Sequence, residues 1–251
     1  MNLGLKEKVI IVTGGAKGIG EGISESLALE SAMVAIVGRN EVDNLKCIEK
    51  IQAIGGQAFS FVAELSDPNQ CKKVIEEIYT KFGRIDGLVN NAGINDGVGL
   101  ANGTYEKFIQ SLHSNLIHYY LLAQACLPHL IKTKGSIVNI GSKVAETGQG
   151  GTSAYAASNG GRNALTREWA VELLPHGIRV NAVIVAECYT PMYDKWIQTL
   201  PNPSETLSEI ENRIPLGKRM TTKEELGAMV AFLLSSKSSH TTGQLIHVDG
   251  G

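Results

Sequence analysis

The sequence is poor in the residue types that mark specialised protein classes. Its 251 residues hold only four cysteines and seven prolines, with 6% aromatic and 19% charged residues. Cys47, Cys71, Cys126 and Cys188 are far apart and form no Cys-x-x-Cys pair. Neither a disulfide framework nor a zinc site is suggested, and thiols kept in a reducing compartment fit better. Lysine and arginine total 23 against 25 aspartates and glutamates, a net charge of −2. No charge excess pulls the chain toward nucleic acid or an anionic membrane. No apolar run approaches the ~18 residues of a spanning helix. The polar start, Met1 to Lys8, does not read as a secretory leader. The six histidines show no ligand spacing, so no metal is expected. These absences point to a cytoplasmic protein with a small-molecule partner.

Glycine is what the sequence has in surplus, at 28 residues. There is no Gly-X-Y period, and 43% hydrophobic residues exclude disorder. A compact fold with tight turns and close backbone contacts remains.

Short apolar runs alternate with helical patterns along the whole chain. Strands are expected at Val9–Thr13, Met33–Val37, Ala58–Ala63, Gly87–Asn90, Ser136–Ile140, Val180–Val185 and Leu245–Val248. Between them lie helical stretches, including Thr104–Ile131 and Ser153–Leu174. The strand runs are apolar without alternation, as in strands covered on both faces. The expected fold is therefore α/β, a Rossmann-type doubly wound seven-stranded parallel sheet in a single domain, 1–251. The segment 186–215, with Pro191, Pro201, Pro203 and Pro215, reads as an insertion covering a site.

The first strand runs into Thr13-Gly14-Gly15-Ala16-Lys17-Gly18-Ile19-Gly20. Between a strand and a helix, this pattern marks a dinucleotide site. Gly14 would turn the chain, Gly18 would admit a pyrophosphate, and Gly20 would let the helix pack closely. The helix N-terminus offers free N–H groups and a positive dipole end to the phosphates. The second strand ends Val37-Gly38-Arg39-Asn40, without the acid that binds the ribose hydroxyls of NAD(H). Arg39 and Lys17 favour NADP(H), with NAD(H) the alternative.

Taken together, these residues resemble the short-chain dehydrogenase/reductase family over essentially the whole chain. The matching motifs are TGGAKGIG at 13–20, Asn90-Asn91-Ala92-Gly93, Asn115, Ser142 with Tyr155 thirteen residues later, and the ending Thr242-Gly243-Gln244…Val248-Asp249-Gly250-Gly251. Within the family, AELSD at 63–67, AVELLPHGIRVNAVIVAE and YTPMYDKW at 189–196 are most similar to L-fucose and related sugar dehydrogenases. The resemblance implies cofactor contacts at Gly14, Lys17, Gly18, Ile19, Gly20, Arg39, Glu64, Leu65, Asn91, Ala92, Gly93, Tyr155, Asn159, Val185, Cys188 and Thr190. It also implies a homotetramer and a short tail beyond Gly251.

The family's mechanism implies Tyr155 as general acid/base, Ser142 polarising the substrate oxygen, and Asn115 holding a water. A tyrosine ordinarily ionises near ~10, so work near neutrality needs a nearby positive charge. The family supplies it with lysine four residues later, on the same helix face. Here that position is Asn159. Asparagine can hydrogen-bond ribose hydroxyls but has no charge. Lys143 follows Ser142 directly, and strand neighbours face opposite ways, so it is not expected to substitute. The expectation is reduced activity at neutral pH. Two further departures from the family are Glu64 in place of Asp and Val185-Ala186 in place of Pro-Gly.

On the substrate side, Ser142, Glu146, Gln149, Tyr155, Glu187 and Trp196 suit a polyol better than a fatty chain. The leading expectation is a dehydrogenase for a sugar or secondary alcohol. The alternatives are a carbonyl, steroid or 3-oxoacyl reductase, and a catalytically silent NADP(H)-binding protein.

Overall fold

The computed structural model describes residues 2–251; Met1, the first residue of the polar start, lies outside them. Seven parallel strands form the sheet: β1 Val9–Thr13, β2 Met33–Gly38, β3 Gln57–Val62, β4 Gly87–Asn90, β5 Ser136–Ser142, β6 Arg179–Val185 and β7 Leu245–Val248. Nine α-helices accompany them among the described residues: α1 Gly18–Leu29, α2 Glu41–Ala53, α3 Pro68–Phe82, α4 Tyr105–Leu112, α5 His118–Thr133, α6 Ser153–Glu172, α7 Pro191–Ile197, α8 Pro203–Asn212 and α9 Lys223–Leu234. The strand order is β3-β2-β1-β4-β5-β6-β7. The chain reverses its direction of growth between β1 and β4, the place where such sheets open a ligand crevice.

The period-2 geometry of the strands sorts their side chains onto two cores. In β1, Ile10 and Val12 join the core beneath α1, α2 and α9, while Val9 and Ile11 join the core beneath α3, α5 and α6. Each fully buried isoleucine contributes roughly 1.5–3 kcal/mol, so a one-residue register slip would cost both cores at once. Edge strands β3 and β7 are only partly buried.

One feature differs from the expected layout. The helical stretch 104–131 is not one α-helix, because residues His113–Ile117 form a π-turn between α4 and α5. The wider turn re-aims Asn115, and such turns recur at functional sites. The insertion 186–215 contains α7 and α8. Pro191 and Pro203, at the first helical positions, start both helices.

The helix that carries the glycine turn is anchored from behind. A Cβ on Gly22 of α1 would lie 2.5 Å from Lys223 Cβ, so α9 packs directly on the α1 backbone. Lys223 Nζ then reaches Glu21 at 2.7 Å and Glu25 at 2.9 Å.

Candidate active site

Thr13, Ser142 and Val185 all lie at C-terminal strand ends, along one edge of the sheet. Ser142 is the register partner of Val185, which pairs in turn with Val248. At the same edge the glycine turn runs from β1 into α1. A Cβ on Gly20 would stand 2.1 Å from the Gly14 carbonyl oxygen, so this position takes no side chain. Gly18 adopts φ +54°, in the left-handed region. Lys17 at the N-cap of α1 makes no side-chain capping bond. The first N–H groups of α1 thus face a cradle that an anionic diphosphate would fill.

The β4 end is tied to this turn. Thr13 Oγ1 accepts from the backbone N–H groups of Asn91 at 2.9 Å and Ala92 at 3.1 Å. Asn91 Nδ2 donates to the Thr13 carbonyl at 2.8 Å. Asn91 therefore shapes the cradle with its side chain. Gly93 comes next, against Asn115 and Arg162. A Cβ there would sit 2.9 Å from Asn115 Oδ1 and 2.8 Å from Arg162 Nη2.

Asn115 is fully buried, with Oδ1 accepting from Ile94 N at 2.8 Å and Nδ2 donating to Ser111 O at 3.0 Å. On α6, Tyr155 is part-buried and Asn159 fully buried. Asn159 Nδ2 donates to the Tyr155 carbonyl at 2.9 Å, and its Oδ1 accepts from Arg162 Nη1 at 3.1 Å.

The family model described as enoyl-(acyl carrier protein) reductase matches residues 14–251. The chain is 38% identical over 249 residues to the 3-oxoacyl-[acyl-carrier-protein] reductase FabG of Thermotoga maritima, covering 98% of each chain. This chain is a short-chain dehydrogenase/reductase. It is 33% identical over 245 residues to the L-fucose dehydrogenase of Bos taurus, covering 97% of this chain and 88% of that one. Among solved structures, that of Cj0485 dehydrogenase superposes with a TM-score of 0.94 at 42% identity, covering 100% of this chain and 96% of the other. As a member of this family the protein is an NAD(P)-dependent oxidoreductase.

Several residues expected at the coenzyme site of this short-chain dehydrogenase/reductase have side chains engaged within the fold. Cys188 packs its side chain into the core and pairs its backbone with Thr221. Burial, reinforced by Glu224 and Glu225, pushes its thiol up to about 11. Leu65 likewise points into the other core, and Ile19 packs against the first. Thr190 caps α7, accepting from Tyr193 N at 3.2 Å, and lies against Gly18.

At the adenosine end of the groove both cations are partnered. Lys17 Nζ lies 2.5 Å from Asp43, and Arg39 Nη1 lies 3.6 Å from Glu64. Burial works to raise the Glu64 carboxyl. The Ser66 N–H and hydroxyl, with the Arg39 charge, outweigh it and hold the group below its ordinary range.

Beyond Ser142 lies a cavity of about 350 Å³, lined by Lys143, Glu146, Thr147, Glu187, Arg213 and Asp249 among others. Lys143 forms an ion pair with Glu187. Tyr193 buries its hydroxyl near Glu187 without a hydrogen bond, and both burial and the Glu187 charge raise it. Trp196 meets Tyr193 edge-on, ring centres 5.1 Å apart, and is half exposed. Gln149 is exposed in the loop after β5. Glu146 is braced from α6 by Asn163 Nδ2 at 3.3 Å, and lies 3.3 Å from His247 Nε2. A larger concavity of about 560 Å³ lies between α6 and β7, and neither it nor the smaller one is lined by Asn115, Ser142, Tyr155 or Asn159. The smaller cavity reaches Lys143, the residue that follows Ser142.

Sequence reasoning missed Arg162. Its guanidinium donates through Nε to the Asn115 carbonyl at 2.6 Å and through Nη1 to the Ile140 carbonyl at 3.1 Å. The available signal was spacing, since position 162 is seven residues past Tyr155 and shares its helix face.

Proposed function

We propose that the protein interconverts a secondary alcohol of a sugar or related polyol with its carbonyl form, using NADP(H). The nicotinamide, when bound, supplies or takes up the hydride. The chain's own residues must hold the coenzyme, orient the substrate and move one proton. Tyr155 exchanges that proton with the substrate oxygen, and Ser142 hydrogen-bonds the same oxygen. Asn115 stabilises the turn beside them.

The observation that carries the substrate class is the lining of the cavity beyond Ser142. Beside apolar walls from Ala186, Ile210 and Ile214, it carries Lys143, Glu146, Thr147, Glu187, Arg213, His247 and Asp249, which can exchange hydrogen bonds with several hydroxyls and which an acyl chain would leave desolvated and unpaired. Lys17 and Arg39 support NADP(H), because both cations are exposed and could exchange their ion pairs with Asp43 and Glu64 for a phosphate at little cost.

A second reading is a silent NADP(H)-binding protein. It is favoured by Asn159, whose amide is bonded at both ends within the chain. The expectation of reduced activity at neutral pH belongs between these two readings.

One screen separates them. The protein is offered NADP⁺ with L-fucose and other sugars, and NADPH with a 3-oxoacyl thioester, while nicotinamide absorbance is followed. Turnover of a sugar supports the proposal. Turnover of the thioester alone replaces it with an acyl reductase. NADPH binding with no turnover leaves the silent reading.

A further inference from the structure

Two charged side chains of Asp, Glu, Lys or Arg type are buried among the described residues, Asp86 and Arg162. Asp86 has its counter-ion, Arg84, at 2.7 Å. Arg162 is 3% exposed and meets only neutral acceptors: the carbonyls of Asn115 and Ile140, and the side-chain oxygens of Asn159 and Asn115. Its Cζ also lies 4.3 Å from the ring centre of Tyr119. Those contacts satisfy the guanidinium's hydrogen-bonding needs without cancelling its charge. A buried charge left uncompensated is costly and marks a place where negative charge is wanted.

Position 162 follows Tyr155 by two helical turns, on one face of α6. Helical side chains lean toward the N-terminus, which brings the guanidinium back to Asn159, one turn from Tyr155. We propose that Arg162 is a positioning residue that restores to this site the positive charge missing from position 159, acting on Tyr155 through Asn159. The inference rests on the catalytic reading of Tyr155 above.

Other groups facing the guanidinium do not compete for this role. From α5, His118 is lowered to about 4 by burial and by Arg162 itself, and Tyr119 is raised to about 12 by burial. Asn115 from the π-turn, Ile140 from β5 and Asn159 from α6 present no titratable side chain. Near neutrality Arg162 is thus the fixed charge of this cluster.

A consequence concerns the obvious repair. Asn159→Lys alone would press an ammonium against a guanidinium that already occupies the space, so it is expected to fail. Lysine at 159 requires the removal of Arg162.

The test compares the wild type with R162K, R162L, N159K and N159K/R162L. Three readouts are taken: L-fucose oxidation with NADP⁺ from about pH 6 to about pH 10, thermal melting, and NADPH binding by nucleotide fluorescence without substrate. R162L is expected to lose about 10–100-fold in kcat near neutrality, recovering as the pH is raised by about one to two units. NADPH affinity should stay within about threefold of wild type, since the change is not at the phosphates. R162K should keep most activity. N159K should melt about 5 °C lower or more, and the double variant should regain both stability and neutral-pH turnover.

An R162L profile that superimposes on wild type overturns the inference. So does an N159K protein as stable and active as the double variant. If R162L does not fold, an N159K/R162L protein less active than N159K overturns it equally. A wild type that binds NADPH and turns over neither sugar nor 3-oxoacyl thioester sinks the proposed function instead. Melting then decides the charge relocation, which additive effects of the two substitutions would refute.

Discussion

Lys143 and Glu187 form an ion pair across the ends of β5 and β6. It follows from register, because Ser142 pairs with Val185 and the next residues of each strand diverge around the cavity mouth. Lys143 is thereby engaged by Glu187, which also lies beside Tyr193. Glu187→Gln should release both partners. We expect KM for the sugar to rise about tenfold with kcat and NADPH affinity nearly unchanged, the pattern of lost uniform binding. Steady-state kinetics alongside an NADPH titration check this. An unchanged KM would remove Glu187 from the substrate site.

The glycine cradle makes a harsher prediction. A methyl group on Gly20 would lie 2.1 Å from the Gly14 carbonyl and 2.6 Å from Asn91 Nδ2. Neither neighbour is free to move, since Asn91 Nδ2 also holds the Thr13 carbonyl. Gly20→Ala should push α1 off the sheet, weakening NADPH binding at least about 100-fold and lowering stability by about 1–3 kcal/mol. Fluorescence titration and thermal melting read the two effects. Near-normal NADPH affinity would mean that the coenzyme does not sit on this turn.

Arg39 tests the choice of coenzyme. It is 77% exposed on its side chain and touches Glu64 at 3.6 Å, a contact of little energetic value. A ribose 2′-phosphate would give it a stronger, charge-assisted partner. Arg39→Met should weaken NADPH about tenfold while NADH affinity barely changes. Added salt should narrow the gap between the two coenzymes in the wild type more than in the variant. Equal losses for both coenzymes would show that Arg39 does not read the phosphate.

Much of this architecture was legible because it is local. The apolar runs of β1, β2 and β6 and the spacing Gly14, Gly18, Gly20 need no tertiary information to be read. So too the positions of Ser142 and Tyr155 follow from short motifs. What stayed hidden depends on contacts distant in sequence. The π-turn at Asn115 has no signature in a helical pattern that runs unbroken through 104–131. Nothing in the sequence announced the contact of Glu146 with His247, or the core that takes the side chain of Cys188, a residue expected at the coenzyme. The charge that seemed absent beside Asn159 was present as Arg162. Its meaning appears only when the π-turn, α5 and β5 close around it with none but neutral partners.

His118 gives the stability of the fold a pH dependence of definite sign. It is buried beside Tyr119, with Nε2 3.1 Å from the Ser114 carbonyl and Nδ1 without a partner. Burial first, and the Arg162 charge second, lower it from 6.5 to about 4. The folded protein therefore keeps it neutral where the unfolded chain would take up a proton. Its contribution is complete above about pH 6.5 and is lost progressively as the pH falls toward 4, reaching about 3 kcal/mol at most. Glu21, Glu64 and Glu225 are also lowered, so they remove stability in the same direction, but mainly below the ordinary carboxylate range. His129 is lowered too, by burial and Lys132, though it is far less enclosed. The interval from about pH 6.5 to about pH 5 thus reports chiefly on His118. Wild-type melting should fall there by about 5 °C, and His118→Gln should flatten that slope while leaving the steeper loss at lower pH. Equal slopes in the two proteins would mean that His118 takes up its proton without unfolding its surroundings.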